Sequence, residues 1–225
     1  MTTAHDLNGQ VALVTGGSRG IGRQLAMAMA RAGATVVVTA RRLDSSSGSG
    51  ATLQGTVEQI KAAGGQAIAI PAAITQPDGA RHLIEETIRQ AGQVDILLNN
   101  AGLYPRSFVE DTSLEDWDST VDINLNAVFY VTRSLLPSML ERGTGRIVNV
   151  SSELAIRHRP GDAVYSATKA AIEAFSYCLA QEVGPRGVEV NVWTPGYVRT
   201  DMTGQRAADA VETVEESFLW ILAQT

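Results

Sequence analysis

Short apolar runs alternate with longer amphipathic segments along most of the chain. Continuous apolar or β-branched runs are typical of buried strands, whereas apolar residues recurring every three or four positions predict helices. The predicted strands are residues 11–14, 35–39, 67–70, 95–98, 146–150 and 188–193, and the predicted helices are residues 21–32, 57–63, 78–91, 114–140 and 164–183. Strands that are apolar on both faces belong in a parallel sheet covered by helices, so the pattern predicts an α/β fold.

Two segments fall outside this alternation. Residues 45–50, Ser-Ser-Ser-Gly-Ser-Gly, suit neither a core strand nor a stable helix, and we interpret them as a mobile surface loop. They follow the second strand, near where a cofactor ribose would lie, although a plain connection is the favoured interpretation. Residues 216–225 predict a terminal amphipathic helix with no strand after it. We expect a single domain over residues 1–225.

The charge balance narrows the range of partners. The chain has 24 acidic and 18 basic residues, a net charge of −6, and no run of lysine or arginine, so we expect no nucleic-acid partner. No apolar stretch approaches the length of a membrane span, and the first residues do not form a signal peptide pattern. Cys178 is the only cysteine, which excludes an internal disulfide and a cysteine-based metal cluster. We expect a cytoplasmic protein with no metal site and no membrane partner.

A glycine-rich turn, residues 15–22 (Thr-Gly-Gly-Ser-Arg-Gly-Ile-Gly), joins the first predicted strand to the first predicted helix. The missing side chains allow a tight turn and let a pyrophosphate approach the backbone, and the helix N-terminus supplies amide donors. An ordinary turn is the alternative, because such glycine spacings also occur by chance. The candidate cofactor-binding residues in this turn are Gly16, Ser18, Arg19, Gly20, Ile21 and Gly22.

Arg41 and Arg42 stand at the end of the second predicted strand. Folds that bind NAD usually carry an acidic side chain there, which accepts hydrogen bonds from the ribose hydroxyls. Arginine cannot accept those bonds but pairs well with a 2′-phosphate, and Arg19 adds another cation nearby. We therefore expect NADP(H) as the cofactor rather than NAD(H). The alternative is that these arginines only solvate the surface.

Tyr165 and Lys169 are four residues apart on a predicted helix, a spacing that places both side chains on one face. An ammonium at roughly 5 Å, in an effective dielectric of about 20, favours phenolate by roughly 3 kcal/mol, on the order of two pKa units. We therefore expect Lys169 to lower the pKa of Tyr165, so that the phenol can exchange protons near neutrality. The alternative is a tyrosine and a lysine on an exposed helix surface.

The chain resembles the short-chain dehydrogenase/reductase family over residues 7–202. The motifs that carry the resemblance are the glycine turn, Asn-Asn-Ala-Gly at residues 99–102, the Tyr165 and Lys169 pair, and Pro195-Gly196. The resemblance implies an NADPH-dependent oxidoreductase that interconverts a carbonyl compound and its alcohol. It also implies a Rossmann-type doubly wound sheet of strand order 3-2-1-4-5-6, and we expect the family's seventh strand to be missing here.

The resemblance further implies a catalytic tetrad of Asn124, Ser152, Tyr165 and Lys169. In it Tyr165 is the proton donor, Ser152 bonds the substrate oxygen, and Asn124 holds a water that joins Lys169 to solvent. The resemblance favours Ser152 over Ser151, because Ser152 lies thirteen residues before Tyr165, the usual separation in the family. The cofactor contacts implied beyond the glycine turn are Asn100, Ala101, Gly102, Tyr165, Lys169, Pro195, Gly196, Val198 and Thr200. Taken alone, Asn124 is better explained by helix packing or a backbone hydrogen bond, and residues 99–102 by an ordinary turn.

Three features depart from the family pattern. Ala73 stands where an adenine-binding Asp is frequent, which leaves the adenine to backbone groups, and Ala155 stands where a glycine is common, which narrows the pocket. Without a seventh strand, the sixth is an exposed edge. That region usually helps to form a subunit interface, so a homodimer is expected ahead of the family's common homotetramer. Residues 114–140 and 164–183 would form the contact, unless their apolar residues are core.

Substrate specificity in such folds comes from loops at the carboxyl ends of the strands, here residues 104–108, 154–161 and a substrate loop at about 196–210. Arg157-His158-Arg159 hints at an anionic substrate group, although a solvated loop is the favoured interpretation. The residues that would suit an apolar carbonyl compound are Leu103, Tyr104, Leu154, Tyr197 and Met202. A non-catalytic NADP(H)-binding sensor or scaffold is the alternative function, and a sugar epimerase of the extended branch fits less well.

Overall fold

The computed structural model describes residues 6–43, 52–204, 207 and 209–224. The serine- and glycine-rich segment at residues 45–50 lies outside the described residues, as does part of the predicted substrate loop. Within the described ranges, no helix combines the length and the apolar character needed to cross a bilayer.

The described residues contain one sheet of six parallel strands in the order β3-β2-β1-β4-β5-β6. The strands are β1 (Val11–Thr15), β2 (Thr35–Ala40), β3 (Gln66–Pro71), β4 (Ile96–Asn99), β5 (Gly145–Val150) and β6 (Val188–Trp193). The helices are α1 (Gly20–Arg31), α2 (Leu53–Ala62), α3 (Pro77–Ala91), α4 (Leu114–Val121), α5 (Ala127–Arg142), α6 (Ala163–Val183) and α7 (Val214–Leu222). The predicted α/β class and strand order are confirmed.

Helices cover both faces of the sheet because its strands are apolar on both sides. Along β1, Ala12 and Val14 belong to one buried cluster, whereas Val11 and Leu13 belong to another. Successive side chains of a strand point to opposite faces, so the two clusters are the two layers of core. The first layer packs α1, α2 and α7 on the sheet, and the second packs α3, α5 and α6.

The strand order reverses between β1 and β4. From β1 the chain moves outward through β2 and β3, and it then returns to pair β4 with the other side of β1. In open α/β sheets the loops leaving the carboxyl ends of the strands diverge at such a point and leave a crevice. The glycine turn follows β1 and residues 99–102 complete and follow β4, so the topology brings both motifs to this crevice.

The helix predicted over residues 114–140 contains a change of helical pitch. α4 continues into a π-helical turn, Asp122–Asn126, before α5 begins. Single π turns inside α-helices are frequent at functional sites, because the extra residue redirects side chains. Here the turn contains the buried Asn124, which hydrogen-bonds to the backbone of Leu103 and to the side chain of Thr168. Sequence periodicity did not reveal this turn.

The last described helix, α7, is anchored in the first core layer. The Phe218 side chain is fully buried, and its ring packs edge-on against Trp193 of β6, with 5.4 Å between ring centroids. Glu215 of α7 hydrogen-bonds to Gln24 and Arg31 of α1. The predicted terminal helix is therefore confirmed, and among the described residues β6 remains at the edge of the sheet.

We predict that Phe218→Ala lowers the free energy of unfolding by about 3–5 kcal/mol, because it leaves a cavity beneath Trp193. Trp220→Ala is the matched control on the same helix, since Trp220 is 58% exposed, and its effect should stay within about 0.5 kcal/mol. Urea unfolding followed by circular dichroism measures both. Equal losses in the two variants would mean that α7 does not contribute to the core.

Candidate active site

The glycine turn and residues 99–102 pack tightly against each other at the carboxyl end of the sheet. Thr15, which is buried, accepts hydrogen bonds at Oγ1 from the amides of Asn100 (3.0 Å) and Ala101 (3.1 Å), and Asn100 Nδ2 donates to the Thr15 carbonyl at 2.9 Å. A Cβ on Gly22 would overlap the Gly16 carbonyl oxygen and the Asn100 side chain. Residues 99–102 are therefore a structural partner of the glycine turn and not an ordinary turn.

The amino end of α1 can receive an anion. Helix α1 has no capping side chain bonded to its first turn, so amide donors remain there for a ligand. Gly16 and Gly20 have φ values of 69° and 54°, which other residues adopt only with strain. The turn is held from below by Arg23, which donates to the Ser18 carbonyl at 2.7 Å. Arg23 is a contributor that the glycine pattern alone did not indicate.

A cavity of about 450 Å³ opens at this crevice. Its lining includes Gly16, Ser18, Arg19, Gly20, Ile21, Gly22, Arg41, Asn100, Ala101, Gly102, Ser152, Tyr165, Lys169, Pro195, Gly196, Val198 and Thr200. These are all the predicted site residues except Arg42, which is exposed nearby, and Asn124, which is buried. The volume is in the range typical of small-molecule sites.

Apolar and aromatic side chains form part of the cavity lining. The five residues predicted to suit an apolar carbonyl compound, Leu103, Tyr104, Leu154, Tyr197 and Met202, all line it. Neither Ala73 nor Ala155 lines it, although their neighbours Ala72 and Leu154 do. The expectation that Ala155 narrows the pocket therefore has no direct contact to support it. Ala155 is instead buried beneath the cavity wall.

Tyr165, Ser152 and Lys169 meet at the floor of this cavity. The Ser152 hydroxyl interacts with the Tyr165 phenol closely enough to affect its pKa, and Lys169 Nζ lies 5.6 Å from the centroid of the Tyr165 ring. Lys169 is buried and donates to the Val150 carbonyl at 2.7 Å. Ser151 instead donates to Glu173 at 2.6 Å, which explains structurally why Ser152 is the better candidate.

The expectation that Lys169 lowers the pKa of Tyr165 is wrong for this structure. Burial raises the pKa of the phenol to about 12, although the interaction with the Ser152 hydroxyl lowers it, and electrostatic interactions with Tyr104 and Asp162 raise it further. Burial also lowers the pKa of Lys169 to about 8. Desolvation disfavours the charged form of each group, and Lys169 is not among the causes of the shift at Tyr165.

Asn124 is held by the loop after β4. Its Oδ1 accepts from the Leu103 amide at 2.8 Å, and its Nδ2 donates to the Leu103 carbonyl at 3.0 Å and to Thr168 Oγ1 at 3.1 Å. Asn124 therefore makes backbone hydrogen bonds, as the alternative explanation from the sequence alone had suggested. They also tie the loop to the helix that carries Tyr165 and Lys169. The water-holding role of Asn124 stays a prediction.

Sequence reasoning missed the importance of Asp162, three residues before Tyr165. Asp162 is 1% exposed and accepts a hydrogen bond from the Tyr104 hydroxyl at 2.8 Å. It also accepts from Arg159 Nε at 3.0 Å, so the guanidinium that hinted at an anionic substrate already pairs within the protein. The sequence offered one signal, namely that Asp162 stands three residues before Tyr165. The contact with Tyr104 could not be predicted, because the two residues are far apart in sequence. Among the described residues, no group of three His, Cys, Asp or Glu side chains is arranged to hold a metal ion.

The sheet topology, the glycine turn and the clustered Tyr165, Ser152 and Lys169 define a class of dinucleotide-binding oxidoreductases. A sequence model described as short chain dehydrogenase matches residues 10–211, and this chain belongs to the short-chain dehydrogenase family.

Its relatives include enzymes with different substrates. A 3-oxoacyl-(acyl-carrier-protein) reductase of Synechocystis sp. is 39% identical over 205 residues, covering 91% of this chain and 81% of that protein. A gluconate 5-dehydrogenase of Gluconobacter oxydans is 37% identical over 219 residues, covering 97% of this chain and 81% of that protein. The crystal structure of a short chain dehydrogenase from Burkholderia cenocepacia in complex with NADP is 34% identical, with a TM-score of 0.84 over 96% of this chain and 91% of that one.

The burial of Lys169 should be visible in stability. Because its pKa falls from 10.5 to about 8 on folding, the folded state binds this proton more weakly than the unfolded state does. Below about pH 8 the buried ammonium therefore costs stability, and the cost diminishes as the pH rises from about 8 toward 10.5.

We predict that Lys169→Met raises the free energy of unfolding by about 2 kcal/mol at neutral pH. At about pH 9 the difference in unfolding free energy between the variant and the wild type should be smaller. Lys61→Met, at an exposed lysine of α2, is the control and should show no such pH-dependent gain. Urea unfolding of the three proteins at both pH values measures the effect. A Lys169→Met protein that is less stable than the wild type at neutral pH would contradict the prediction.

Proposed function

We propose that this protein is an NADPH-dependent oxidoreductase that interconverts a carbonyl compound and its alcohol. The observation that carries the proposal is the meeting of Tyr165, Ser152 and Lys169 in one cavity with the glycine turn. One cleft thereby contains a proton donor, a hydrogen-bond donor for the substrate oxygen and a dinucleotide-binding site. The activities named for its relatives, reductase and dehydrogenase, support the same class of reaction.

The residues present fit NADP(H). The amides at the start of α1 and the glycine backbone would hold the pyrophosphate, and Arg19 and Arg41, which both line the cavity, would pair with the 2′-phosphate. Residues 40–42, at the end of β2, include no acidic side chain that could accept from ribose hydroxyls. The NADP complex of the Burkholderia cenocepacia relative supports this choice.

Three side chains would carry the proton chemistry. When bound, NADPH supplies the hydride that reduces the carbonyl carbon. The Tyr165 phenol donates its proton to the carbonyl oxygen, and Ser152 hydrogen-bonds that oxygen as negative charge develops on it. Lys169 would bind the nicotinamide ribose and help to return a proton to Tyr165. Asn124 fixes the loop after β4 through Leu103, and we assign it the water-holding role of the tetrad.

The raised pKa of Tyr165 suits reduction. Burial keeps the phenol protonated at neutral pH, and the protonated phenol is the form that a carbonyl substrate needs. Oxidation of an alcohol needs the phenolate instead, so it should require a higher pH. The apolar and aromatic side chains of the cavity lining support a carbonyl compound with an apolar portion near the reacting carbon.

We also infer a cytoplasmic location and a homo-oligomer. The acidic composition and the single cysteine support the first. Exposed aromatic side chains on α4 and α5, namely Trp117 and Phe129, support the second, since such side chains are enriched at subunit interfaces.

Tyr165→Phe should lower kcat at least about 100-fold, because the proton donor is lost, while leaving NADPH binding within about threefold of the wild type. NADPH absorbance in the presence of a panel of ketones and diketones measures turnover, and fluorescence titration measures binding. Tyr177→Phe is the control at an exposed tyrosine of the same helix. A wild-type protein that binds NADPH tightly but reduces no member of the panel would favour the sensor or scaffold function.

Arg41→Ala should weaken NADPH binding by about tenfold and leave NADH binding unchanged, because only the 2′-phosphate loses a charge-assisted partner. Arg186→Ala is the control, at an exposed arginine before β6 that does not line the cavity. Isothermal titration with each reduced cofactor tests this. Equal affinity of the wild-type protein for NADPH and NADH would refute the NADP(H) preference.

A further inference from the structure

A cluster of aromatic and charged side chains beside Tyr165 has no role in the mechanism above. The Asp162 cluster consists of Tyr104 and Arg106, from the loop after β4, and Arg159 and Asp162, from the segment before α6. At its centre the Asp162 side chain is fully buried, whereas both arginines are about half exposed. Burying a carboxylate lowers the free energy of unfolding unless both of its oxygens are paired. The groups that pair with Asp162 therefore matter for the stability of this region.

Both oxygens of Asp162 are paired. The Tyr104 hydroxyl donates to Oδ1 at 2.8 Å, Arg159 Nε donates to Oδ2 at 3.0 Å, and Arg106 Nε lies 3.7 Å from Oδ1. A backbone bond of 3.0 Å from the Ser107 amide to the Gly161 carbonyl joins the same two segments. The carboxylate therefore fastens the loop after β4 to the start of α6.

This fastening acts on the reacting phenol through an aromatic contact. The rings of Tyr104 and Tyr165 pack with centroids 4.7 Å apart and planes inclined at 58°. The position of the Tyr104 side chain is fixed at both ends, because its hydroxyl bonds to Asp162 and its ring contacts the ring of Tyr165. Tyr104 and Arg159 also line the cavity, which places the cluster in the wall on the substrate side.

We propose that Asp162 is a positioning residue, which holds the Tyr104 ring against Tyr165 and thereby fixes the phenol that donates the proton. The inference rests on the proposed function of Tyr165 and extends it, since it assigns the orientation of the phenol to a residue outside the tetrad. Misplacement of a reacting group by about 1 Å can cost up to about 100-fold in rate, so fixing one ring is a substantial contribution.

Asp162 also contributes to the electrostatics of the phenol. Among the groups around Tyr165, Lys169 lies on its own helix, Tyr104 and Arg106 come from the loop after β4, and Arg159 and Asp162 precede α6. Glu153, in the turn after β5, also lines the cavity and pairs with Arg157. Burial is the main cause of the raised pKa of Tyr165, and the negative charge of Asp162 adds to it. Removing that charge should therefore let Tyr165 titrate at lower pH.

The test compares Asp162→Asn, Tyr104→Phe and the double variant with the wild type. Two measurements are made: kcat and KM for carbonyl reduction against pH, and NMR titration of ring-labelled tyrosines, with the Tyr165 signal assigned from Tyr165→Phe. Glu182→Gln and Tyr177→Phe are matched controls at exposed positions of α6. Circular dichroism defines the pH range in which each protein stays folded.

We expect each single variant to lower kcat about tenfold with a smaller change in KM, and the alkaline loss of reductase activity to move to lower pH in Asp162→Asn. The double variant should lose no more activity than the more severely affected single variant, because Asp162 acts through Tyr104. Independent, multiplicative losses, or an unchanged pH profile and Tyr165 titration, would overturn the proposal.

Tyr104→Phe keeps the ring and removes only the hydroxyl, so it remains decisive if Asp162→Asn does not fold. A folded Tyr104→Phe protein with wild-type kcat and an unchanged Tyr165 titration would refute the positioning role. The titration needs no turnover. A wild-type protein that reduces no carbonyl would refute the proposed function, whereas the titration would still test the Asp162 cluster.

Discussion

The packing of the glycine turn against residues 99–102 determines where everything else in the cavity lies. Thr15 is the centre of this contact, because its Oγ1 accepts from two amides of the facing turn and donates to the Leu98 carbonyl at 3.3 Å. The contact closes the point at which the strand order reverses, and it fixes the start of α1 relative to β4. A side chain larger than hydrogen at Gly22 would separate these segments.

The floor of the cavity is built from groups that are costly to bury. Lys169 and Tyr165 both have pKa values shifted toward their neutral forms, and desolvation is the main cause in each case. Strongly perturbed pKa values of this kind cluster at functional sites. The surrounding sheet supplies the stability that offsets the cost, with both core layers packed directly beneath the crevice. The Lys169 bond to the Val150 carbonyl shows how β5 supports the arrangement.

The loop after β4 connects most of the candidate site. Asn124, from the π turn, bonds to both backbone groups of Leu103, and Asp162 holds Tyr104, the next residue. Two consecutive loop residues are therefore fixed from different sides, Leu103 by the π turn and Tyr104 by the segment before α6. Binding and catalytic groups are commonly carried on loops that a rigid scaffold positions, and here the scaffold acts through buried polar side chains.

The sequence by itself determined the α/β class, the strands and the presence of most helices, because apolar periodicity follows directly from burial, although α2 begins at Leu53, four residues before its predicted start. Together with the family resemblance it also indicated the strand order and most residues that line the cavity. Only the tertiary structure decided the π turn, the partners of Asn124 and the Tyr104 contact with Asp162, since these join residues distant in the chain. It also decided the direction of the pKa shift at Tyr165. Helical spacing gives the distance to Lys169, but the loss of solvent around both groups depends on how the whole chain packs.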